Sequence, residues 1–153
     1  MIRCLQPEEK YKQVALASVA FNLPVPDMEE IRANGRLTGR VLGAFSEDGA
    51  LEAALSLNAF SANFQGNDLP VLGIGAVMTY PQFRRKGLVR ALMSRALSDG
   101  LREGYAVSML YPFSCDYYRK FGYERAIEYK NLSVPIQACL LYTSPSPRDP
   151  KTS

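Results

Sequence analysis

The chain has 153 residues, a formal net charge of +3 and 47% hydrophobic residues, which suits one domain with a buried core. It has no histidine, so Ser-His-Asp catalysis, Cys-His catalysis and most zinc sites are excluded. A charge of this size does not by itself indicate nucleic-acid binding. No apolar run is long enough to span a bilayer, and the three cysteines show neither metal-ligand spacing nor a disulfide framework, so we expect a cytoplasmic location.

The first half of the chain predicts a short strand, two helices and three strands. Proline and acidic residues at Pro7–Glu9 mark a helix start. Near-continuous apolarity from Val71 to Thr79 predicts a strand that is buried on both faces. The predicted elements are, in chain order, a strand over Ile2–Leu5, a helix from Pro7 to about Phe21, a helix from Asp27 to Asn34, and strands over Arg40–Ser46, Leu51–Phe60 and Val71–Thr79.

The second half predicts a long amphipathic helix whose apolar stripe faces a sheet. The members of this stripe are Leu88, Leu92, Met93, Ala96, Leu97 and Leu101. The predicted elements are a helix from Gly87 to about Glu103, a strand over Ala106–Tyr111, one or two helical turns over Cys115–Phe121 and a strand over Ile127–Val134. This order predicts an α/β fold with a mixed sheet, which is antiparallel at first and is then entered in parallel through the long helix.

A basic loop joins the strand over Val71–Thr79 to the long helix. Amides in the first turn of a helix have no intrahelical partner, and the helix dipole adds partial positive charge there, so a bound anion gains from both. Gly87 has no side chain and lets the backbone approach such an anion closely. Four cations surround it, namely Arg84, Arg85, Lys86 and Arg90. The pattern favours phosphate binding over its alternative, a solvated basic turn.

Two motifs resemble the GNAT family of N-acetyltransferases. The run Val77–Val89 is similar to the family's acetyl-CoA motif, in which Arg or Gln is followed by two residues, Gly, one residue, and Gly or Ala. Arg84 and Gly87 match this motif, whereas Val89 departs from it. The run Tyr118–Tyr123 is similar to the Tyr-x-x-Phe-Gly-Tyr run of the enhanced-intracellular-survival (Eis-like) branch, which tolerates a larger residue at the position of Val89. The two motifs together therefore resemble that branch.

The resemblance implies the GNAT acyl-CoA N-acyltransferase fold, an α/β (α+β) fold. Its sheet is mixed, mostly antiparallel, splayed between strands 4 and 5 and flanked by helices. The pantetheine of acetyl-CoA is expected in this gap, bonded to free backbone groups of Val77, Met78 and Thr79. The pyrophosphate is expected beside Arg84, on the amides of Arg85, Lys86, Gly87, Leu88, Val89 and Arg90. Phe113 and Ser114 are expected to flank the acetyl-CoA, and no metal is expected.

The resemblance also implies roles for the reacting groups. Tyr118 matches the family's general acid, which returns a proton to the CoA thiolate; a phenol suits this task because its pKa is near that of a thiol. The alternative is that Tyr118 only packs a short helix. Tyr117 and Tyr123 are the competing candidates for the role of general acid. The branch uses as its base the C-terminal carboxylate of a longer chain, which adds a second acetyltransferase-like domain and a sterol-carrier-like domain. The local acids are Glu29, Asp116 and Glu124, each weighed against a solvated surface charge.

The function implied is transfer of an acetyl group from acetyl-CoA to a primary amine, by direct attack in a ternary complex. The amine belongs to a small molecule, such as an aminoglycoside-like antibiotic or a polyamine, or to a lysine side chain. The missing C-terminal domains and a homo-oligomer of the full-length protein are expected partners, and neither nucleic acid nor membrane is expected. Phe21, Leu23 and Met28 are candidates for one wall of the amine pocket or, alternatively, for core packing.

Two other functions stay open at this point. A non-catalytic acyl-CoA-binding or sensing module is the first alternative, because the base is absent from the sequence. A nucleic-acid or anionic-surface binder that uses the basic loop is the second. It is disfavoured because the cations cluster at one helix start and are not spread over a face.

The tail Cys139–Ser153 differs abruptly in composition from the residues before it. One interpretation is a Ser/Pro linker. The other is that the peptide resembles the translation of a sequencing adapter, with Pro150–Ser153 coming from index bases. On that interpretation the acetyltransferase domain covers residues 1–138, the native sequence ends near Ala138, the last strand of the fold is lost and the tail carries no function.

Overall fold

A computed structural model describes residues 1–24 and 39–128 of the chain. Its elements are β1 (Ile2–Cys4), a 3-10 turn (Pro7–Glu9), α1 (Lys10–Phe21), β2 (Arg40–Phe45), β3 (Leu51–Phe64), β4 (Asn67–Thr79), a 3-10 turn (Pro81–Phe83), α2 (Leu88–Arg102), β5 (Val107–Leu110) and α3 (Cys115–Arg119). The predicted helix from Asp27, the predicted strand beyond Glu128, the domain boundary at residue 138 and the tail 139–153 lie outside the described residues.

The described strands form one five-stranded sheet in the order β1-β2-β3-β4-β5. Neighbouring strands are antiparallel except for β4 and β5, which are parallel. Parallel neighbours need a crossover connection, and α2 supplies it. The predicted α/β fold with a mixed, mostly antiparallel sheet flanked by helices is therefore confirmed.

Helices cover both faces of the sheet, because successive strand side chains point to opposite sides. The cluster on the α2 side contains Leu42, Leu55, Leu57, Leu72, Ile74, Leu92, Met93, Ala96 and Tyr118. The cluster on the α1 side contains Leu5, Leu16, Val41, Phe45, Leu51, Ala54 and Met78. The first part of the predicted buried strand, Val71–Ile74, is buried on both faces, whereas Gly75–Val77 and Thr79 are half-buried. None of the helices within the described ranges is long and apolar enough to cross a membrane.

Two predictions about element faces and lengths were wrong. Leu101 is 77% exposed and does not join the apolar stripe of α2. Gly100 faces the sheet instead, where a Cβ would lie 2.6 Å from Leu72 Cδ2, so the last turn of α2 packs too closely for a side chain. The β3–β4 hairpin is also longer than predicted, because Ser61–Phe64 pair with Asn67–Pro70 across a turn at Gln65 and Gly66.

Candidate active site

The open edge of β4 is the first component of the site. β5 pairs with β4 only over Val71–Ile74, whereas β4 continues to Thr79 with no other described strand on that side. The pairing of β4 with β3 also shifts register between Gly75 and Met78, where Ala76 adopts a φ of 44°. A bulge of this kind bends the strand and turns its far end away from its neighbours. The sheet therefore opens between β4 and β5, as the resemblance implies.

Backbone direction decides which groups face this opening. The amide of Tyr80 donates to the carbonyl oxygen of Glu52 on β3 at 3.1 Å. Because successive amides of a strand point to opposite sides, the amides of Val77 and Thr79 face the open edge. Met78 faces β3 with its amide and buries its side chain on the α1 side. Three residues were predicted to bind pantetheine. Val77 and Thr79 present backbone amides at the open edge, whereas Met78 does not.

The basic loop and the start of α2 combine left-handed residues with backbone amides that have no described partner. Arg85 and Gly87 both adopt left-handed conformations, with φ of 63° and 78°. The first helical hydrogen bond runs from the amide of Ala91 to the carbonyl oxygen of Gly87 at 3.0 Å. The amides of residues 85–90 donate to no residue that the structure describes. Successive unpaired amides around left-handed residues are the arrangement that binds phosphate oxygens.

The cations of the basic loop form no ion pair with a carboxylate in the described part of the chain. Arg84, Arg85, Lys86 and Arg90 are exposed and make no ion pair with any described residue. All other arginines in the described ranges pair with an Asp or Glu. Lys86 instead lies with its Nζ 4.8 Å from the centre of the Phe83 ring. The loop therefore carries uncompensated positive charge where a negatively charged ligand would bind.

The candidate acid Tyr118 is buried among aromatic rings. Its ring meets those of Phe113, Tyr117 and Tyr123 edge-on, with centroids 5.4, 5.2 and 6.3 Å away. Burial raises the pKa of Tyr118 above its usual value, and the neighbouring tyrosines raise it further. The hydroxyl bonds to no described residue, yet it is not sealed from solvent. Tyr118 therefore holds a protonated hydroxyl that is free to serve a ligand.

The two competing tyrosines differ from Tyr118 in their surroundings. Ser108 Oγ donates to the Leu72 carbonyl oxygen at 3.0 Å, and its distance to the Tyr123 hydroxyl is 2.5 Å. Since serine has one proton to donate, Tyr123 is the donor to Ser108. This chain of bonds ties Tyr123 to the β4–β5 pairing and occupies its hydroxyl. Tyr117 is half-buried and packs its ring against Phe113 and Tyr118.

Phe113 and Ser114 lie between the end of β5 and α3. Phe113 is 75% exposed although its ring contacts those of Tyr117 and Tyr118. Ser114 caps α3, since its Oγ accepts from the Tyr117 amide at 3.3 Å. The structure thus gives Ser114 a structural task, while Phe113 offers an uncovered ring beside Tyr118.

The other residues singled out in the sequence lie away from this cluster. Arg119 pairs with both Asp116 and Glu124, so these two acids are held on the surface. Phe21 and Leu23 are about half exposed, which argues against core packing. Glu29 and Met28 lie outside the described residues.

Two features near the bulge were missed in the sequence. Ala76 is not a glycine or asparagine, so no residue-level signal marks its positive φ. Gln13 on α1 donates to Ser56 Oγ at 3.4 Å, and its buried Oε1 has no partner within residues 1–24 and 39–128. Ser56 lies opposite Gly75, beside the bulge. Only the packing of α1 on the sheet brings this polar pair to the site.

Comparisons with known proteins concern the family and the fold. The sequence profile of the acetyltransferase (GNAT) domain matches residues 1–126. A conserved Enterococcus faecalis protein of unknown function, provisionally described as an N-acyltransferase, superposes with a TM-score of 0.73 at 31% identity, over 81% of this chain and 32% of that one. Eis1 from Mycobacterium abscessus superposes with a TM-score of 0.66 at 27% identity, over 80% of this chain and 31% of that one.

A third structure, an acetyltransferase from Trypanosoma brucei, shares the fold, with a TM-score of 0.70 at 19% identity, over 88% of this chain and 99% of that one. The chain spans about a third of the length of the Enterococcus and Mycobacterium proteins. No match to a curated protein was found.

Proposed function

Because the chain belongs to the GNAT acetyltransferase family, we propose that it moves the acetyl group of acetyl-CoA to a primary amine by direct attack in a ternary complex. The observation that carries this proposal is the row of amides at residues 85–90, which have no partner among the described residues and follow the open edge of β4 in the chain. The amides suit a pyrophosphate, and the edge suits an extended, amide-bearing arm. Acetyl-CoA contains both and supplies the reactive acetyl thioester.

Different residues of the chain bind the phosphates, align the pantetheine arm and hold the proton. The cations of the loop attract the phosphates, namely Arg84, Arg85, Lys86 and Arg90. Gly87 leaves room for them, since no described atom beyond its neighbours in the chain lies within 4 Å of a Cβ built there. Val77 and Thr79 align the pantetheine arm through their edge amides. Tyr118 holds a proton at its hydroxyl for the departing sulfur. Phe113 covers the ligand from the side of α3 with its exposed ring.

We further place the chain in the Eis-like branch, as the N-terminal domain of a larger, cytoplasmic enzyme. The run Tyr118–Tyr123 and the coverage of about a third of two longer relatives support this. On this proposal a C-terminal carboxylate from the later domains deprotonates the amine. The acceptor is a small-molecule amine or a lysine side chain. On the same proposal, the domain of residues 1–138 forms the acetyl-CoA half of the enzyme.

Calorimetric titration with acetyl-CoA tests the binding half of the proposal. Gly87→Glu adds bulk and negative charge where the pyrophosphate would bind, and we expect no detectable affinity. Gly104→Glu is the matched control, because Gly104 lies at the other end of α2 with a similar φ of 88° and the same open surroundings. It carries the same backbone strain and the same charge. Equal affinities of the two variants would contradict the proposed phosphate site.

Thiol release in the presence of acetyl-CoA and a panel of amines tests the transfer itself. Release that depends on an amine supports the enzyme. Tight CoA binding without release, both in this chain and in the longer parent protein, supports the non-catalytic binding module instead. DNA binding that falls steeply with salt and does not compete with CoA supports the anionic-surface binder.

A further inference from the structure

The β3–β4 hairpin extends beyond the rest of the sheet. β2 pairs with β3 only as far as Leu57, and β5 pairs with β4 only from Val71. Residues 58–70, which we call the arm, therefore form a two-stranded ribbon whose outer edges meet no other described strand. A ribbon of two strands is marginally stable alone and presents unpaired backbone groups along each edge. The arm is thus a candidate surface for strand pairing.

The arm has one apolar and one polar face. Phe60 and Phe64 lie on the same face of β3, with Ala62 between them, and are 55% and 61% exposed. On the opposite face Asn63 Nδ2 donates to Asp68 Oδ1 at 3.1 Å. Large exposed aromatic side chains that share a face mark an interaction surface more often than an inert one. The apolar face of the arm is therefore suited to being covered.

The two edges of the arm differ in how they resist pairing. The β4 edge carries Asp68 and Pro70, and both a charge and a proline hinder the approach of another strand. The β3 edge has neither, and the whole stretch 53–67 contains no charged residue and no proline. Proteins seldom leave a long, uncharged edge open to solvent. The β3 edge is therefore the one that a further strand would occupy.

We propose that this edge pairs with the same edge of a second copy of the chain, antiparallel and two-fold symmetric about Ala62. The sequence Phe60-Ser61-Ala62-Asn63-Phe64 has the same chemical pattern in both directions. Two-fold pairing sets Phe60 against Phe64 of the second copy, and Ser61 against Asn63, with no like charges opposed. Pairs of aromatic side chains across neighbouring strands stabilise a sheet. The contact is self-complementary, as a two-fold interface requires, and joins the two sheets into one.

Sedimentation velocity of the full chain over a wide concentration range tests this pairing. The wild-type chain is expected to form dimers. Ala62→Lys places two like-charged lysines directly opposite each other at the symmetry axis, with Cβ atoms about 5 Å apart, and should raise the dissociation constant about 100-fold or more. Ala62→Glu should do the same, and an equimolar mixture of the two variants should restore the dimer. Asn67→Lys, which adds the same charge to the apolar face on β4, should leave the dimer intact.

A cross-linking experiment covers the case in which charged variants misfold. Two Ala62→Cys chains bring their Cβ atoms close enough for a disulfide across the axis, so diamide should link them covalently. Asn67→Cys and the wild-type chain, which has its own cysteines, report the background. A wild-type chain that stays monomeric at every concentration, an Ala62→Lys dimer as tight as the wild type, or no cross-link above background would each overturn the proposal. Pairing of the arm with a different segment of the same chain would appear as a monomer in which the amides of the arm are protected from hydrogen exchange, and it would also overturn the proposal.

Discussion

Removal of the Tyr118 hydroxyl by Tyr118→Phe separates a catalytic role from a packing role. The hydroxyl makes no hydrogen bond to a described residue, and the ring keeps its three aromatic neighbours after the change. We therefore expect the free energy of unfolding to change by no more than about 0.5 kcal/mol. A general acid contributes about 100- to 10,000-fold to a rate, so kcat should fall by at least about 100-fold, or roughly 3 kcal/mol of barrier.

Tyr123→Phe is the matched control, because its hydroxyl is used structurally. It donates to Ser108, which in turn holds the Leu72 carbonyl oxygen at 3.0 Å. Loss of one such bond costs about 1 kcal/mol of stability. We expect a lower melting temperature with an unchanged kcat, which is the opposite pattern to that of Tyr118→Phe.

The assay measures amine-dependent thiol release at saturating acetyl-CoA, together with acetyl-CoA affinity by calorimetry and thermal melts. It is made in this chain or, if this chain does not turn over, in the longer protein that we propose. Since burial raises the pKa of Tyr118, the phenol stays protonated up to and beyond pH of about 10, and its own titration should not limit activity below that. An unchanged kcat in Tyr118→Phe, or a collapse of acetyl-CoA affinity, would refute the role of general acid.

Three further predictions concern charge, acid stability and packing. Arg85→Ala should weaken acetyl-CoA binding about tenfold at low salt and less at high salt, because exposed cations are screened; an equal loss at every ionic strength in calorimetry would contradict this. The Arg3 guanidinium lowers the pKa of Glu9 from 4.5 to about 2. The ion pair therefore stabilises the folded chain by about 1 kcal/mol above pH 4.5, and this contribution is lost as the pH falls toward 2. Glu9→Gln should therefore flatten acid unfolding curves in that window, and parallel curves would argue otherwise. Gly100→Ala should destabilise the fold by about 1–3 kcal/mol, because its Cβ would lie 2.6 Å from Leu72, and an unchanged melting temperature would show that Leu72 moves freely.

Long-range packing explains why the predictions of the hairpin length and of Leu101 were wrong. The hairpin was predicted too short because Asn67, Asp68 and Pro70 are residues typical of turns, although the alternation of apolar and polar residues in β3 continues to Phe64. Pairing of Ser61–Phe64 with Asn67–Pro70 extends both strands. Leu101 was assigned to the buried stripe because it has the right helical spacing. The helix meets the sheet there through Gly100, and this close approach depends on Leu72, which lies far away in the sequence.

The sequence by itself determined the strand, the basic loop and the helix start around Gly87, because glycine, clustered arginines and apolar periodicity act through near neighbours in the chain. It also determined the mixed sheet, since the order of elements limits the possible connections. Only the tertiary structure decided which groups of that region are available. The bulge at Ala76 frees the edge amides of Val77 and Thr79 and turns Met78 inward. Ser108 occupies the hydroxyl of Tyr123, whereas the hydroxyl of Tyr118 bonds to no residue that the structure describes. Such differences between similar residues depend on the register and burial set by distant segments, which local sequence patterns do not record.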